Sequence, residues 1–310
     1  MRNKYLIILL ALIVIYLGIT FIGGKKERSF DDKITGFNVE NVNKIVINPK
    51  DKTKKEFSIK KTKDKWDIVV GDESFEADNS TIDNTLSSLK KMKIKNIITK
   101  NPDNFAKYEL EKDKCKRVKL YDGKDKLVDI LVGKFKYNQQ SRSANSYVRL
   151  ADKNEVFSID GFLSMNISDN ISTYRIKTLA KFTIDQLDKI TYTHQNLDYH
   201  ISKQDDKWIY NGVILDSLKM KAYISKLSNL KGAKFMEDVN WQKPESSDKL
   251  VLNIENNDNI EITAYPDTIA TKAFVINSSL NDKAYFQSDS SGLYKNVFGE
   301  LQAILDKASN

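Results

Sequence analysis

Two stretches of this chain, 42–92 and 187–230, carry the same residue types at the same spacing, and a pattern written twice must fold twice into one architecture. Phe57, Ile59, Lys61, Asp64, Lys65 and Trp66 fall on Tyr199, Ile201, Lys203, Asp206, Lys207 and Trp208 at a constant offset of 142 (199−57 and 208−66). Ahead of this block Lys44-Ile45 matches Lys189-Ile190 at an offset of 145, and after it Asp78, Ile82, Leu86, Leu89 and Met92 match Asp216, Met220, Ile224, Leu227 and Leu230 at 138. The offset changes only between blocks, where loops absorb length differences. Self-similarity of this kind is the mark of a duplication.

Within each copy the periodicity is of two kinds. Ile45/Ile47, Phe57/Ile59 and Trp66/Ile68/Val70 alternate with polar residues, which predicts strands over 42–48, 56–60 and 65–70 with one buried face. Apolar residues at 82, 86, 89 and 92 then form a stripe at helical spacing, so 79–93 is expected to be a helix capped by Asp78, Asn79 or Ser80. The second copy offers Asp216 or Ser217 as the cap and Gly232 as the stop. A hairpin follows in each copy, at 118–121 and 127–132 in the first and at 250–254 and 260–264 in the second. Further strands are expected at 147–150, 155–159, 273–276 and 284–287, and a closing helix at 293–307. Trp66 and Trp208 stand at equivalent points as repeat markers, read as plugs between sheet and helix. The fold class is α+β: an N-terminal transmembrane helix followed by two repeated domains, each of antiparallel sheets with one main packing helix.

The domain plan is an anchor at 1–24, a juxtamembrane linker at 25–41, a first repeat at 42–163, a connection at 164–185 and a second repeat at 186–308. The anchor is the run from Tyr5 to Ile22, 18 residues (22−5+1) without a charge. As a helix it spans roughly 27 Å, close to the hydrocarbon thickness of a bilayer. It is longer than the apolar core of a cleaved signal, and Gly18-Ile19-Thr20 makes a poor cleavage site. Basic residues flank it on both sides, Arg2 and Lys4 before and Lys25, Lys26 and Arg28 after. Because long domains translocate largely regardless of charge, the bulk of the chain is placed outside the cytoplasm, as a single-pass cell-membrane protein. Lys25, Lys26, Arg28 and Lys33 would be drawn to anionic head groups.

Charge excludes one class of partner. The net charge is +8, yet Lys is interleaved with Asp and Glu rather than massed on one element, so no nucleic acid is expected. A single cysteine, Cys115, permits no internal disulfide and reads as a half-buried strand residue rather than a nucleophile. The two histidines, His194 and His200, supply neither a zinc ligand set nor an obvious triad. Gly123-Lys124 and Gly133-Lys134 lack the rest of a phosphate loop, and the Asn and Asp clusters at 256–259 and 288–292 lack calcium-loop spacing. No catalytic residue, cofactor or metal is assigned. Arg149, Arg175 and Lys177 are the candidate partner-binding residues, with an internal ion pair as the plainer role for the two arginines.

Five short runs occur in order: Lys65-Trp66, Tyr108-Glu109-Leu110, Leu131-Val132-Gly133-Lys134, Tyr147-Val148-Arg149 and Tyr174-Arg175-Ile176-Lys177-Thr178-Leu179. In this the chain resembles a bacterial family catalogued as domain of unknown function number forty-three-forty. The family pattern has Tyr-Gly-Leu where Glu109 stands here, and a more Arg-Asp-Lys-like run where Arg175-Ile176-Lys177 stands. The resemblance implies a single-pass envelope protein found beside accessory and permease components of ABC-type exporters of the gliding-motility kind, with no catalytic residues to carry over. Two functions are therefore weighed. One is a non-enzymatic membrane-anchored interaction component of an envelope assembly; the alternative is an envelope hydrolase using paired carboxylates on glycan or peptide.

Overall fold

The structure, a computed structural model, describes residues 36–112, 114–237, 241–246, 248–267 and 273–309. The apolar run 5–22 and the basic residues Lys25, Lys26, Arg28 and Lys33 lie outside the described residues. Among those that are described, no helix is long and apolar enough to cross a membrane.

The chain forms two large antiparallel sheets and a few helices. In the first copy the strands are β1 (Lys44–Asn48), β2 (Phe57–Thr62), β3 (Lys65–Val70), β4 (Glu73–Glu76), β5 (Ile94–Thr99), β6 (Lys116–Asp122), β7 (Asp125–Asn138), β8 (Ser143–Leu150) and β9 (Val156–Asp160). Helix α1 (Asn79–Lys90) lies between β4 and β5, and a short helix α2 (Leu163–Asn166) follows β9. Strand β10 (Thr178–Lys181) leads into the second copy, with β11 (Leu187–His194), β12 (Leu197–Gln204), β13 (Lys207–Tyr210), β14 (Val213–Ile214) and helix α3 (Ser217–Leu227). Then come β15 (Asn229–Lys231), β16 (Lys234–Phe235), β17 (Asp248–Ile254), β18 (Ile260–Pro266), β19 (Phe274–Ser278), β20 (Asn281–Ser288) and helix α4 (Glu300–Ala308).

The strand orders are the same in both sheets. The first runs β4-β3-β2-β1-β6-β7-β8-β9-β5 and the second β14-β13-β12-β11-β17-β18-β19-β20-β16. Each strand of one has its counterpart in the same place in the other, so the repeat extends beyond the aligned blocks to two complete nine-stranded sheets. The two tryptophans hold corresponding backbone bonds: the Trp66 carbonyl accepts from Ala77 N–H at 2.9 Å and the Trp208 carbonyl from Leu215 N–H at 2.8 Å. Both indoles are buried, as are Ile82, Leu86 and Leu89 on α1 and Met220, Ile224 and Leu227 on α3. Burying each such side chain is worth roughly 1.5–3 kcal/mol, which makes the stripe on the helix, rather than helix propensity, the reason it forms here.

Both helices begin on an aspartate. The Asp78 carboxylate accepts from Ser80 Oγ and from the Thr81 N–H, and the Asp216 carboxylate accepts from the Leu218 and Lys219 N–H groups at 3.1 Å. Four expectations need correction. Helix α1 stops at Lys90, because Ile94 already pairs with Ile159 as part of β5. Gly232 does not end α3, whose cap is Ser228; it is needed because a Cβ there would stand 2.2 Å from the Phe286 ring. The closing segment is a π-helical turn, Lys295–Gly299, before α4. Strand β7 runs six residues past the expected 132 (138−132), to Asn138.

The chain also groups into two compact units. One comprises the residues up to Lys61 with Ile82–Asp169; the other comprises Thr62–Thr81 with Asn170 onward. The hairpin β3–β4 thus belongs spatially with the second unit.

Candidate functional site

Three of the five runs, at 108–110, 131–134 and 147–149, meet around one turn of the first unit. Residues 101–110 fold into two short 3-10 turns, Pro102–Asn104 and Ala106–Tyr108, started by Asn101 accepting from the Asp103 N–H at 3.1 Å. The turn closes through the Leu110 N–H donating to the Phe105 carbonyl at 3.0 Å, and it can do so because Glu109 adopts φ 56° and ψ 43°. Leu110 is buried with Cys115, Leu131 and Val156 in a small core of its own. Gly133 sits directly under the turn, where a Cβ would stand 2.2 Å from the Tyr108 carbonyl oxygen and 2.9 Å from Leu110. From β8, the Tyr147 ring packs on Tyr108 at 4.8 Å between centroids.

Arg149 fastens the same turn from the inside. It is 6% exposed; its guanidinium lies 4.3 Å from the centre of the Phe105 ring and donates to the carbonyls of Lys153 at 2.8 Å and Leu110 at 3.4 Å. Burial pushes its pKa down. These contacts turn the arginine inward, toward carbonyls and a ring rather than an aspartate. Cys115 is likewise buried.

Beyond this locus β7 continues past the end of β6 as an arm, paired on its other side with β8, which itself pairs with β9 as far as Asn145↔Asp160. A bulge between Val132 and Phe135 shifts the register, and pairing then runs from Phe135↔Ser146 to Asn138↔Ser143. In the second sheet the corresponding ladder, among the described residues, reaches Pro266↔Phe274. Phe135 and Tyr137, two apart and therefore on one face, are 41% and 47% exposed, and both rings lie about 6 Å from Phe162, itself 42% exposed. Met165, three residues on, is 59% exposed. Lys116 holds this segment in place by donating its ammonium to the carbonyls of Ser164 and Ile167 at the open end of α2. Period-two alternation at 135 and 137 was available in the sequence as a signal for a longer strand. A stronger one is charge: from 130 to 151 there is no acidic residue, while Lys134, Lys136, Arg142 and Arg149 are all basic.

In the second unit, Arg175 stacks between Phe75 at 4.0 Å and Phe235 at 3.9 Å. Its backbone bridges Ala77, and the neighbouring Ile176 N–H donates to the Glu76 carbonyl at 3.0 Å. Burial pushes the Arg175 pKa down, against the pull of Glu237 and Glu73. The residue borders a hollow of about 240 Å³ into which Asp67, Glu76 and Asp282 also face, so an incoming carboxylate would meet acids as well as the guanidinium. Lys177 lies on the other side, its ammonium 5.9 Å from the Phe235 ring and its carbonyl accepting from the Gly232 N–H at 2.7 Å. The arrangement is a staple: two rings and a backbone ladder close over one side chain.

The histidines are separate from both places. His194 Nδ1 is 2.6 Å from Asp248, a buried carboxylate that also accepts from the Tyr294 hydroxyl, so the end of β11, the start of β17 and the approach to α4 are tied together. Burial, with Asp248 as the second cause, raises the Tyr294 pKa. His200 is exposed, 3.5 Å from Thr191 Oγ1. No group of three or more His, Cys, Asp or Glu side chains able to hold a metal occurs among the described residues.

The model of the family described as Domain of unknown function (DUF4340) matches residues 66–253, more than half of the chain. No curated protein and no solved structure matches it.

Proposed function

The chain belongs to the family described as Domain of unknown function (DUF4340), and from that premise we propose that it is a non-enzymatic accessory component of an envelope assembly. In this reading it is tethered through 5–22 as a single-pass protein, with its two repeats outside the cytoplasm. The assembly that fits the family resemblance is an ABC-type exporter, with permease or accessory subunits as partners.

The observation that supports the reading is the arm. Its aromatic face is apolar surface left open to solvent: Phe135, Tyr137 and Phe162 are each more than 40% exposed. Contiguous exposed aromatics on a soluble face mark interaction sites. The arm also points away from where the described chain begins. Gly36 shares a hollow with Lys126, Leu127 and Leu150. Tyr137 lies ten positions (137−127) further along β7, roughly 30 Å at about 3.3 Å per residue. A tether preceding Gly36 therefore leaves the aromatic face on the far end of its sheet, open to a partner.

The test is affinity purification of the tagged full chain from detergent-solubilised membranes. Permease or accessory subunits should be recovered with the native chain. They should be lost when Phe135→Ser and Tyr137→Ser are combined, with the melting temperature nearly unchanged because both side chains are exposed. A chain reproducibly recovered alone overturns the reading.

A further inference from the structure

We propose that the outer edge of the arm, residues 134–138 of β7, takes up an extended segment of a partner as an added strand, and that this segment alternates apolar and acidic side chains. The inference rests on the reading of the chain as an interaction component and specifies how the contact is made.

The edge is open. Strand β6, the neighbour of β7 on that side, ends its pairing at Lys116↔Val132, whereas β8 accompanies β7 on the other side as far as Asn138. Among the described residues, the main-chain groups of 134–138 bond to nothing outside the β7–β8 ladder. Alternate N–H and C=O groups along this stretch therefore face outward, which is the template for strand addition.

The two faces of the edge then set the chemistry of the occupant. Phe135 and Tyr137 lie on one face, with Phe162 beside them, and Lys134 and Lys136 on the other, all exposed. Side chains of paired strands meet across the ladder at about 5 Å. A strand laid along 134–138 must offer apolar groups at every second position to meet the rings. At the positions between, it must offer groups compatible with two ammoniums, in a stretch of chain that holds no acid from 130 to 151. Acidic side chains satisfy that requirement. A second copy of the same edge does not, because it would set lysine against lysine; the same two lysines guard the edge against self-association.

The experiment uses the purified full chain in detergent micelles and a short fluorescein-labelled peptide of strictly alternating Glu and Val, read by anisotropy. The Glu/Val peptide should bind. Its affinity should fall by about tenfold or more when Lys is substituted for Glu in the peptide, and likewise in the double variant Lys134→Glu with Lys136→Glu. A peptide N-methylated at every Val and another N-methylated at every Glu test the backbone, and one of the two must lose binding. The proposal is overturned by absence of binding, by equal binding of the Lys/Val peptide, by indifference to the charge reversal, or by full binding of both methylated peptides. If partners still co-purify and depend on Phe135 and Tyr137 in that event, the accessory role stands and only the strand-addition mode falls. A chain that recovers no partner defeats the role itself, whatever the peptide does.

Discussion

Glu109 adopts φ 56° and ψ 43°, the left-handed region that glycine enters most readily. An L-residue in this left-handed region costs about 1–2 kcal/mol, and glycine gives back part of that through the greater freedom of its unfolded chain. The Glu109 carboxylate does reach Lys50 at 2.6 Å, but both side chains are about half exposed and such pairs contribute little. Glu109→Gly should therefore raise stability by up to about 1 kcal/mol in urea titration, and a measurable loss would mean that the Lys50 pair matters more than the backbone. Asp129 provides a second test, of pH. Burial works against its charge, but two bonds from Arg117 at 2.7 and 2.8 Å and one from Lys126 hold its pKa below the ordinary 3.8. A lowered carboxylate contributes stability above its unfolded-state value and loses it as pH falls through the folded-state one. Asp129→Asn should cost roughly 1–3 kcal/mol at neutral pH. The gap to the native chain should close progressively below the ordinary 3.8; a gap unchanged in acid would show that the charge is not what holds Arg117.

At the scale of elements, what could be read in the sequence was what burial imposes. The alternation at Ile45/Ile47 and Phe57/Ile59 and the stripe at 82, 86 and 89 are all core positions, and period alone identifies them. The arm escaped because Phe135 and Tyr137 alternate like a buried face while facing solvent, so periodicity could not separate an exposed face from a core. Strand β5 escaped because three of its residues, Lys95, Asn96 and Ile97, are exposed on an edge. Gly232 was misread because a glycine after an apolar stripe suggests a cap, whereas here it answers a close approach by Phe286 that only the tertiary structure reveals. Arg149 and Arg175 stood out as candidates, but their stacking on Phe105 and on Phe75 with Phe235 joins positions far apart in the chain. Gly133 is the element-level prediction. Its Cβ would meet a backbone carbonyl, which cannot move aside as a flexible side chain can, so Gly133→Ala should lift the 105–110 turn from the base of the arm. The expected cost is about 1–3 kcal/mol, with faster hydrogen exchange at the Leu110 amide. Native-like protection there would show that the turn accommodates the methyl.

The duplication makes each copy look self-sufficient, with its own sheet order, helix and buried tryptophan, and a cut in the connection at 164–185 looks harmless from the sequence. The backbone bonds argue otherwise. The Asp78 N–H donates to the Tyr174 carbonyl at 2.8 Å, Ile176 N–H donates to Glu76, and Phe75 forms one face of the clamp on Arg175, so 62–81 completes its bonding with residues that follow 170. A fragment ending at Asp169 keeps the strands from 44 to 160 but removes every one of those partners. Leaving the Asp78 amide without its acceptor also weakens the cap of α1, since the same aspartate carboxylate receives the Thr81 N–H. In the fragment 36–169, hydrogen exchange at 65–78 should accelerate strongly, while the β1–β2 ladder of Ile45↔Ile59 stays protected. Adding the separate 170–310 chain should restore the protection of Asp78. If Asp78 exchanges equally slowly in the fragment and in the full chain, the hairpin belongs to the first copy in space as well as in sequence, and the two repeats are independent folding units after all.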